Sequence, residues 1–343
     1  MKTIGFTFLK AIYGIVRRLI LLENNFSVEL NYLRQSDVIS RRKLDDALEL
    51  EFPSVDDAFV GLSTSFAKRE IIVLKKCILD TKSGRVFVKS DSGRLIYFES
   101  SSEWPKETIL SEIEIPKKEI MQQISVGSIG LPRINYYHMT THWLGNIIEL
   151  SSQAHPIILT PYSNSLAEQI IGSYSLKVMT AETRWVEVDE LSMINLGRIG
   201  YLHPTDRERI VQKRSPTSSN IKKVYISRRR SSRSLPDERI IEELLYGCGF
   251  EIIYAEDLTY AEQVRSVSSA KIIVGPHGAG MVNAIYAPHR AKIIEIMPDF
   301  RINRCIEWQS FVCSQSYTRI LYDKHQPAEI LRDRIMDEIE HCE

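Results

Sequence analysis

Apolar residues change their spacing along this chain, and the changes divide it. Between about Ser27 and Pro116, short runs such as Glu70-Ile71-Ile72-Val73-Leu74, Arg85-Val86-Phe87-Val88 and Arg94-Leu95-Ile96-Tyr97-Phe98 are separated by Lys82-Ser83-Gly84 and Asp91-Ser92-Gly93. Apolar runs of this length broken by glycine turns predict an antiparallel meander, and no chemistry is visible in it. From Ile120 the rhythm becomes helix-length segments alternating with apolar strands, the signature of parallel α/β layers. Thr141 to Leu150 predicts a helix and Pro156-Ile157-Ile158-Leu159-Thr160 a buried strand. From about Pro204 to Asn220 the chain is polar and lacks an apolar period, which predicts a linker between domains.

Beyond that linker the pattern is at its clearest. Lys223 to Ser227, Glu251 to Ala255, Lys271 to Val274 and Lys292 to Ile296 predict strands. Ser234-Leu235-Pro236-Asp237 opens a helix that places Ile240, Ile241, Leu244 and Leu245 on one face and stops at Gly247 and Gly249,. Thr259-Tyr260-Ala261-Glu262 reads as a capping box for a second helix, the Thr hydroxyl and Glu carboxylate satisfying free amides reciprocally. A short third helix is expected from Gly278 to Tyr286, before Pro288. Four strands with three intervening helices predict a doubly wound parallel sheet, because right-handed crossovers are nearly obligatory. Ala328 to Ile339 predicts a last helix whose broad apolar face is expected to cross back and lock the domains together.

Composition narrows the class. A chain of 343 residues exceeds what one core usually fills, so two domains are expected. Lys+Arg and Asp+Glu are matched at 44 each, which argues against a nucleic-acid binder, whose phosphate contacts need surplus cations. The five cysteines are scattered and never form C-x-x-C. Neither a disulfide framework nor a zinc site is suggested, and a reducing, cytoplasmic location is expected. Lys10, Arg17 and Arg18 interrupt the apolar stretch from Met1 to Leu22, so it reads as an amphipathic helix and not as a membrane span. Two readings of it are open: packing on the body of the protein, or lying on the cytoplasmic face of an anionic membrane.

Candidate chemistry gathers at Gly275-Pro276-His277-Gly278-Ala279-Gly280, between an apolar strand and a helix. In a doubly wound sheet, ligands bind at the carboxyl ends of the strands. A turn without Cβ atoms that opens a helix offers unpaired amides to a phosphate. The other reading is a tight turn whose glycines only permit packing. The spacing G-x-x-G-x-G is neither the dinucleotide fingerprint nor a P-loop, which disfavours a nicotinamide dehydrogenase. His277 and Asn283 are candidate contacts to a phosphate or a sugar hydroxyl. Arg228, the first arginine of Ser227-Arg228-Arg229-Arg230-Ser231-Ser232-Arg233, is expected on the same rim, where a guanidinium can clamp a diphosphate. Glu295 is either an acceptor for ribose hydroxyls or the partner of a neighbouring Lys.

Lys223 to Glu295 resembles the family 61 glycosyltransferases, through Tyr225-Ile226-Ser227-Arg228, Arg233, Asp237-Glu238 and Gly275-Pro276-His277-Gly278-Ala279-Gly280-Met281-Val282-Asn283. A second patch, Asn135-Tyr136-Tyr137-His138 with His142-Trp143-Leu144, is similar to the family's N-x-Y-H-x-x-x-D/E segment. The chain departs from the family at the acidic position, which falls on Asn146 or His142 according to the histidine used as anchor. The resemblance implies a GT-B-like α/β architecture, two Rossmann-like domains facing a cleft, to which this chain adds an N-terminal β-rich appendage. The expected divisions are 1–22, 23–118, 119–205 for the acceptor domain, 206–220 for the linker, 221–305 for the nucleotide-sugar domain, and 306–343 for C-terminal helices.

The resemblance also implies inverting transfer from a nucleotide-sugar, UDP-linked by expectation, to a glycan or lipid-linked glycan in polysaccharide or lipopolysaccharide assembly. Arg228, Arg233, His277, Gly278, Ala279, Gly280, Asn283 and Glu295 are the expected donor contacts. His142, Glu149 and His138 are the candidates for the catalytic base. No D-x-D triplet occurs, Glu187-Val188-Asp189 being the nearest, so no metal or other cofactor is expected. The missing carboxylate leaves an alternative open, a non-catalytic sugar-nucleotide or glycan-binding protein on the same scaffold.

Overall fold

The computed structural model describes residues 28–29, 38–45, 48–52, 62–66, 69–81, 85–89, 95–98, 122–129, 135–152, 156–159, 165–194, 202–212, 223–300, 302–323, 325 and 327–340. The amphipathic segment 1–22, on which the membrane reading rests, and residues 213–220 of the expected linker lie outside them. No helix among the described residues is long and apolar enough to cross a membrane.

Two sheets organise the chain. In the first, β1 (Val28–Glu29), β2 (Val38–Asp45), β5 (Arg69–Asp80), β6 (Arg85–Lys89) and β7 (Leu95–Phe98) come from the early, strand-rich region, and β3 (Leu48–Phe52) pairs apart from them with β4 (Leu62–Phe66). The expected meander is there, β5 antiparallel to β6 and β6 to β7. It is not an appendage, however. β5 runs antiparallel to β11 (Trp185–Ile194) over nearly its whole length, and β11 is parallel to β8 (Gln122–Ile129). β8 continues in parallel to β9 (Ile157–Leu159), and β9 to β10 (Val178–Thr180). Within this part the spatial order is β10-β9-β8-β11, the 3-2-1-4 order of a Rossmann half. Meander and parallel layer are thus one sheet.

The helical connection after β8 begins with Tyr136–His138, passes through a wider turn at Met139–Trp143, and continues as α1 (Leu144–Ser152). Asn135 caps it by accepting from the His138 amide at 3.0 Å. α2 (Ser165–Ser173) links β9 to β10, and α3 (Pro204–Gln212) follows β11. α3 corrects the linker expectation, since the helix occupies its first part. Helix formation there depends on a partner the local sequence does not show. Arg69 on β5 grips Asp206 with both terminal nitrogens, at 2.7 and 2.8 Å, and both residues are buried.

The second sheet has the order β13-β12-β14-β15-β16, all parallel, from β12 (Lys223–Ser227), β13 (Glu251–Tyr254), β14 (Ile272–Pro276), β15 (Lys292–Pro298) and β16 (Ser316–Tyr322). The two-residue alternation of each strand explains why it is covered on both faces. Tyr225, Ile272, Val274, Ile294, Ile296 and Ile320 pack with Ile241 and Leu245 of α4 (Glu238–Gly247) and with Leu331, Ile335 and Ile339 of the last helix. Val224, Ile226, Ile273 and Ile293 face the other way, into a core shared with the first sheet's helices. That side is covered by α5 (Tyr260–Val267), by a 3₁₀ segment Ala279–Tyr286 in place of the expected α-helix, and by α6 (Cys305–Val312).

Two features beyond residue 305 differ from expectation. The strand β16 adds a fifth member to the sheet. The last helix, α7 (Ala328–Glu340), packs on α4 and β16 of its own sheet and does not cross back. The two halves are joined instead by buried polar contacts. Trp308 of α6 donates to the Leu202 carbonyl at 2.8 Å, Tyr174 after α2 lies 3.3 Å from Tyr260 hydroxyl to hydroxyl, and Gln169 accepts from the Tyr260 amide at 2.8 Å.

Candidate active site

The order β13-β12-β14 reverses direction between β12 and β14, so their carboxyl ends diverge into a crevice. A cavity of about 460 Å³ occupies it, a size suited to a small-molecule ligand. Arg228, Arg230 and Ser231 line it after β12, Glu256 and Leu258 after β13, and Ala279 and Gly280 in the glycine turn after β14. Tyr136, Ser165, Leu166 and Gln169 close it from the first half.

The Arg228 rim is built by two buried carboxylates. Glu238, at the start of α4, accepts from the Arg228 amide at 2.7 Å, the Tyr225 hydroxyl at 3.0 Å and the Leu235 amide at 3.1 Å. A carboxylate at a helix N-terminus is favoured by the free amides there, and here it also ties the end of β12 to that helix. Glu242, one turn on, accepts from Ser227 at 2.6 Å and Tyr254 at 3.0 Å, and pairs with Arg229 at 2.9 Å. Arg229 is thereby held on the outside, and Arg230 is paired with Asp257.

Arg228 itself is different. Its Nε donates to Ser231 Oγ at 3.2 Å and one terminal nitrogen donates to the His277 carbonyl. No carboxylate among the described residues lies within ion-pair distance of it. Burial first, and then the nearby Arg233, pull its guanidinium below its ordinary value, so the site holds a cation that lacks a counter-ion. Gly278 makes the arrangement possible. A Cβ built there would stand 2.0 Å from Arg228 Nη1, and its backbone is simply extended, at φ 172 and ψ 174. The glycine is required by the arginine, not by an unusual backbone conformation.

The turn has a second flank. His277 Nδ1 lies 2.7 Å from Glu295 Oε1, and the Tyr317 hydroxyl donates to Glu295 Oε2 at 2.6 Å. Glu295 is fully buried with both oxygens engaged, so it is not free to accept from a ribose. Its effect is to fix His277, whose Nδ1 hydrogen points at the carboxylate. Burial and the Glu295 charge push the Tyr317 hydroxyl upward, which keeps it a donor. Tyr137 reaches this flank too, donating to the Cys305 carbonyl at 3.4 Å, and the His138 ring packs edge-on against Tyr137 at 5.6 Å.

The sequence-derived candidates are therefore dispersed. Arg228, Gly278, Ala279 and Gly280 meet at the crevice, and Arg233 is exposed beyond its rim. His277, Glu295 and His138 belong to the second flank. Asn283 is wholly buried. It accepts from Tyr136 at 2.5 Å and donates to Gln263 at 2.9 Å, so it joins the two halves and does not reach a ligand. Glu149 lies 3.6 Å from Arg209 of α3, outside the crevice lining. The backbone of His142 is in the wide helical turn; its side chain is outside the described residues. Asn146, one of the two positions on which the resembled family's acid would fall, is buried and accepts from Arg69 at 3.2 Å.

Sequence reasoning missed Tyr136, Gln169, Glu256 and Gln263 as lining residues. Only tertiary packing brings the first two to this crevice. Glu256 carried a readable signal, an acidic residue just past the second strand of a doubly wound sheet.

Residues 131–294 match the model of the Glycosyltransferase 61 family. A beta-1,2-xylosyltransferase of Oryza sativa subsp. japonica is 25% identical over 130 residues, which cover 37% of this chain and 28% of that protein. A beta-1,2-xylosyltransferase of Arabidopsis thaliana is 24% identical, over 41% of this chain and 33% of that protein. A protein O-linked-mannose beta-1,4-N-acetylglucosaminyltransferase of Mus musculus is 44% identical over 43 residues, 12% of this chain and 7% of that protein. The chain thus spans about a third or less of the length of these relatives. The matched family segment contains the crevice lining, the glycine turn and β8's helical connection up to Ser152, and it ends before Glu295 and Tyr317 of the second flank.

Proposed function

On the match of residues 131–294 to the Glycosyltransferase 61 family, we propose that this protein transfers a sugar from a nucleoside-diphosphate sugar, UDP-linked, to a glycan acceptor during polysaccharide or lipopolysaccharide assembly. The observation that carries the reading is Arg228, a half-buried guanidinium with no carboxylate partner among the described residues, at the carboxyl ends of a parallel sheet. A diphosphate supplies the missing counter-ion, and the amides that open the Ala279–Tyr286 segment add donors.

In this reading the acceptor hydroxyl attacks the anomeric carbon from the face opposite the diphosphate. The bond between that carbon and the diphosphate oxygen breaks as the new one forms, which inverts the centre. The electron pair leaves on the diphosphate, and Arg228, Arg233 and the turn amides stabilise it without a metal. The proton goes to a histidine of the segment that carries His138 and His142. Support for that choice is positional. Tyr136 of the same helical turn lines the crevice and bonds the glycine segment through Asn283, whereas Glu149 is committed to Arg209. The two sheets, one on each side of the crevice, favour a GT-B-like arrangement.

The test is thermal unfolding of the full chain with a panel of nucleoside diphosphates and nucleotide sugars. A ligand that binds only the folded form raises Tm by mass action. UDP is expected to raise Tm in the parent and not in Arg228→Ala; an equal rise in both removes the phosphate assignment. A second reading, a binding protein without catalysis, is favoured by the absence of the family's carboxylate, whose position falls on Asn146 or His142. Release of free sugar from a bound donor excludes it.

A further inference from the structure

A second cavity, of about 920 Å³, opens at the other edge of the second sheet. Lys223 begins β12 and Lys292 begins β15, and both line it. Arg228 follows the far end of β12, so this cavity and the crevice stand roughly 16 Å apart along the strand. Cationic side chains line the cavity at Lys223, Lys271, Arg290 and Lys292, and no carboxylate among the described residues lines it. In a chain whose cations and acids are matched at 44 each, that surplus is local.

Behind the lining lies another cation, Arg207 of α3, which is buried. One of its terminal nitrogens lies 2.8 Å from His289 Nε2, the guanidinium also bonds the Cys313 thiol, and its Nε is buried with no hydrogen bond. A guanidinium only donates, so His289 Nε2 accepts and the ring hydrogen sits on Nδ1. His289, which lines the cavity, therefore keeps a donor on its other nitrogen. Lys292 pairs with Glu338 at 3.3 Å. Arg207, Lys271 and Arg290 have no carboxylate within ion-pair distance among the described residues. The helix ends beside them, α5 at Ser268 and α6 at Cys313, contribute about half a negative charge each, enough for one of the three.

Arg290 is also held in a conformation that arginine rarely adopts. It is the third residue of the turn 288–291, which the Ala291 amide closes on the Pro288 carbonyl at 3.1 Å, and its φ is 67. Glycine or asparagine is favoured at such a position, so the arginine side chain is present at the cavity despite local backbone strain.

One phosphate does not meet these groups together. Lys223 and Lys292 are both in register with Ile272 of β14, on either side of it, about 10 Å apart at the backbone. The lining includes Ser268 and Ser269, has no Phe, Tyr or Trp for a base to stack on, and its apolar members Ile272 and Ala291 are themselves buried. A ligand with several anionic groups on a polar, hydroxyl-bearing body fits this lining, and a concave site suits a discrete molecule better than the plane of a membrane. We propose that the cavity binds a saccharide carrying two or more phosphate or carboxylate groups, at a site separate from the nucleotide crevice. The proposal stands independently of the nucleotide reading of Arg228.

The experiment is isothermal titration of the full chain with fructose 1,6-bisphosphate and with a pentameric oligogalacturonate, beside neutral maltopentaose and inorganic phosphate. It is repeated for Lys271→Ala, Arg290→Gly, their double variant and Arg228→Ala, with flotation on phosphatidylglycerol vesicles run in parallel. At least one of the anionic saccharides is expected to bind the parent. Each single variant is expected to weaken that binding about tenfold, the scale of one charge-assisted hydrogen bond, and Arg228→Ala to leave it unchanged. Glycine relieves the positive φ at position 290, so Arg290→Gly is expected to keep or raise Tm, which separates a lost contact from a lost fold. Absence of binding by both anionic saccharides overturns the proposal, as does equal binding of maltopentaose or inorganic phosphate, or parent-like affinity in the double variant. Loss of binding in Arg228→Ala overturns it by placing the ligand in the crevice. Vesicle flotation that the double variant loses, without saccharide binding, overturns it in favour of a membrane contact.

Discussion

Gly278→Ala is the sharpest perturbation of the proposed diphosphate site. The extended backbone at this position accepts alanine without torsional strain,, so the effect is purely steric. The new Cβ would lie 2.0 Å from Arg228 Nη1 and 2.6 Å from Cζ, and the guanidinium has to leave its seat on the His277 carbonyl. Because the clash is with the end of a flexible side chain, the fold is expected to lose only about 1 kcal/mol, the worth of the displaced hydrogen bond. Ligand affinity is expected to suffer more. Losing charge-assisted hydrogen bonds to a phosphate costs about 1.5–3 kcal/mol, which weakens Kd by about 10- to 100-fold. Gly275→Ala supplies the contrast. There the Cβ would meet Met281 Sδ at 2.8 Å and the Ile226 carbonyl oxygen at 2.9 Å, inside the packed junction of strand and turn, so stability is expected to fall by about 1–3 kcal/mol. Titration calorimetry with UDP and urea unfolding of both variants separate the two effects. Parent-like UDP affinity in Gly278→Ala would refute the assignment of Arg228 to the anion.

Asp206→Leu takes the carboxylate away from the buried Arg69 and is expected to cost about 3–5 kcal/mol, whereas Arg69→Leu, which leaves Asp206 paired with Arg209 at 3.0 Å, and the double replacement are expected to cost less; urea unfolding of the three variants checks this. Tyr136→Phe leaves the buried Asn283 oxygen without its donor, with an expected loss of about 1–3 kcal/mol, and hydrogen exchange of the Ala279–Tyr286 segment is expected to quicken. Burial pushes the thiols of Cys305 and Cys313 from 9.0 to about 12. A raised folded value means that stability is fully present below pH 9.0 and declines as pH rises toward about 12,. Alkylation of both residues at pH 8, followed by peptide mass spectrometry, is expected to be slow in the native protein, since only about one thiol in ten thousand is then ionised.

Local features were legible before any fold was known. The short apolar runs at Ile272 to Val274 and Lys292 to Ile296, the apolar face of Ile240 to Leu245 and the Thr259 capping box each depend on residues a few positions apart, so local pattern and side-chain chemistry suffice to read them,. The glycine turn and Arg228 were legible for the same reason: a strand end, a turn and a helix start have recognisable residues. What the chain could not display locally was pairing at a distance. Arg69 meets Asp206 137 positions away and turns an expected linker into a helix. β5 finds β11 and makes an appendage into part of a sheet. Glu295 finds His277 and Tyr317, and Asn283 finds Tyr136, so two candidate donor contacts prove to be buried struts. Side-chain type states what a residue is able to bind, but only burial and the partners that tertiary packing supplies decide whether it stays available. Glu256, with no partner among the described residues, is left facing the crevice for that reason.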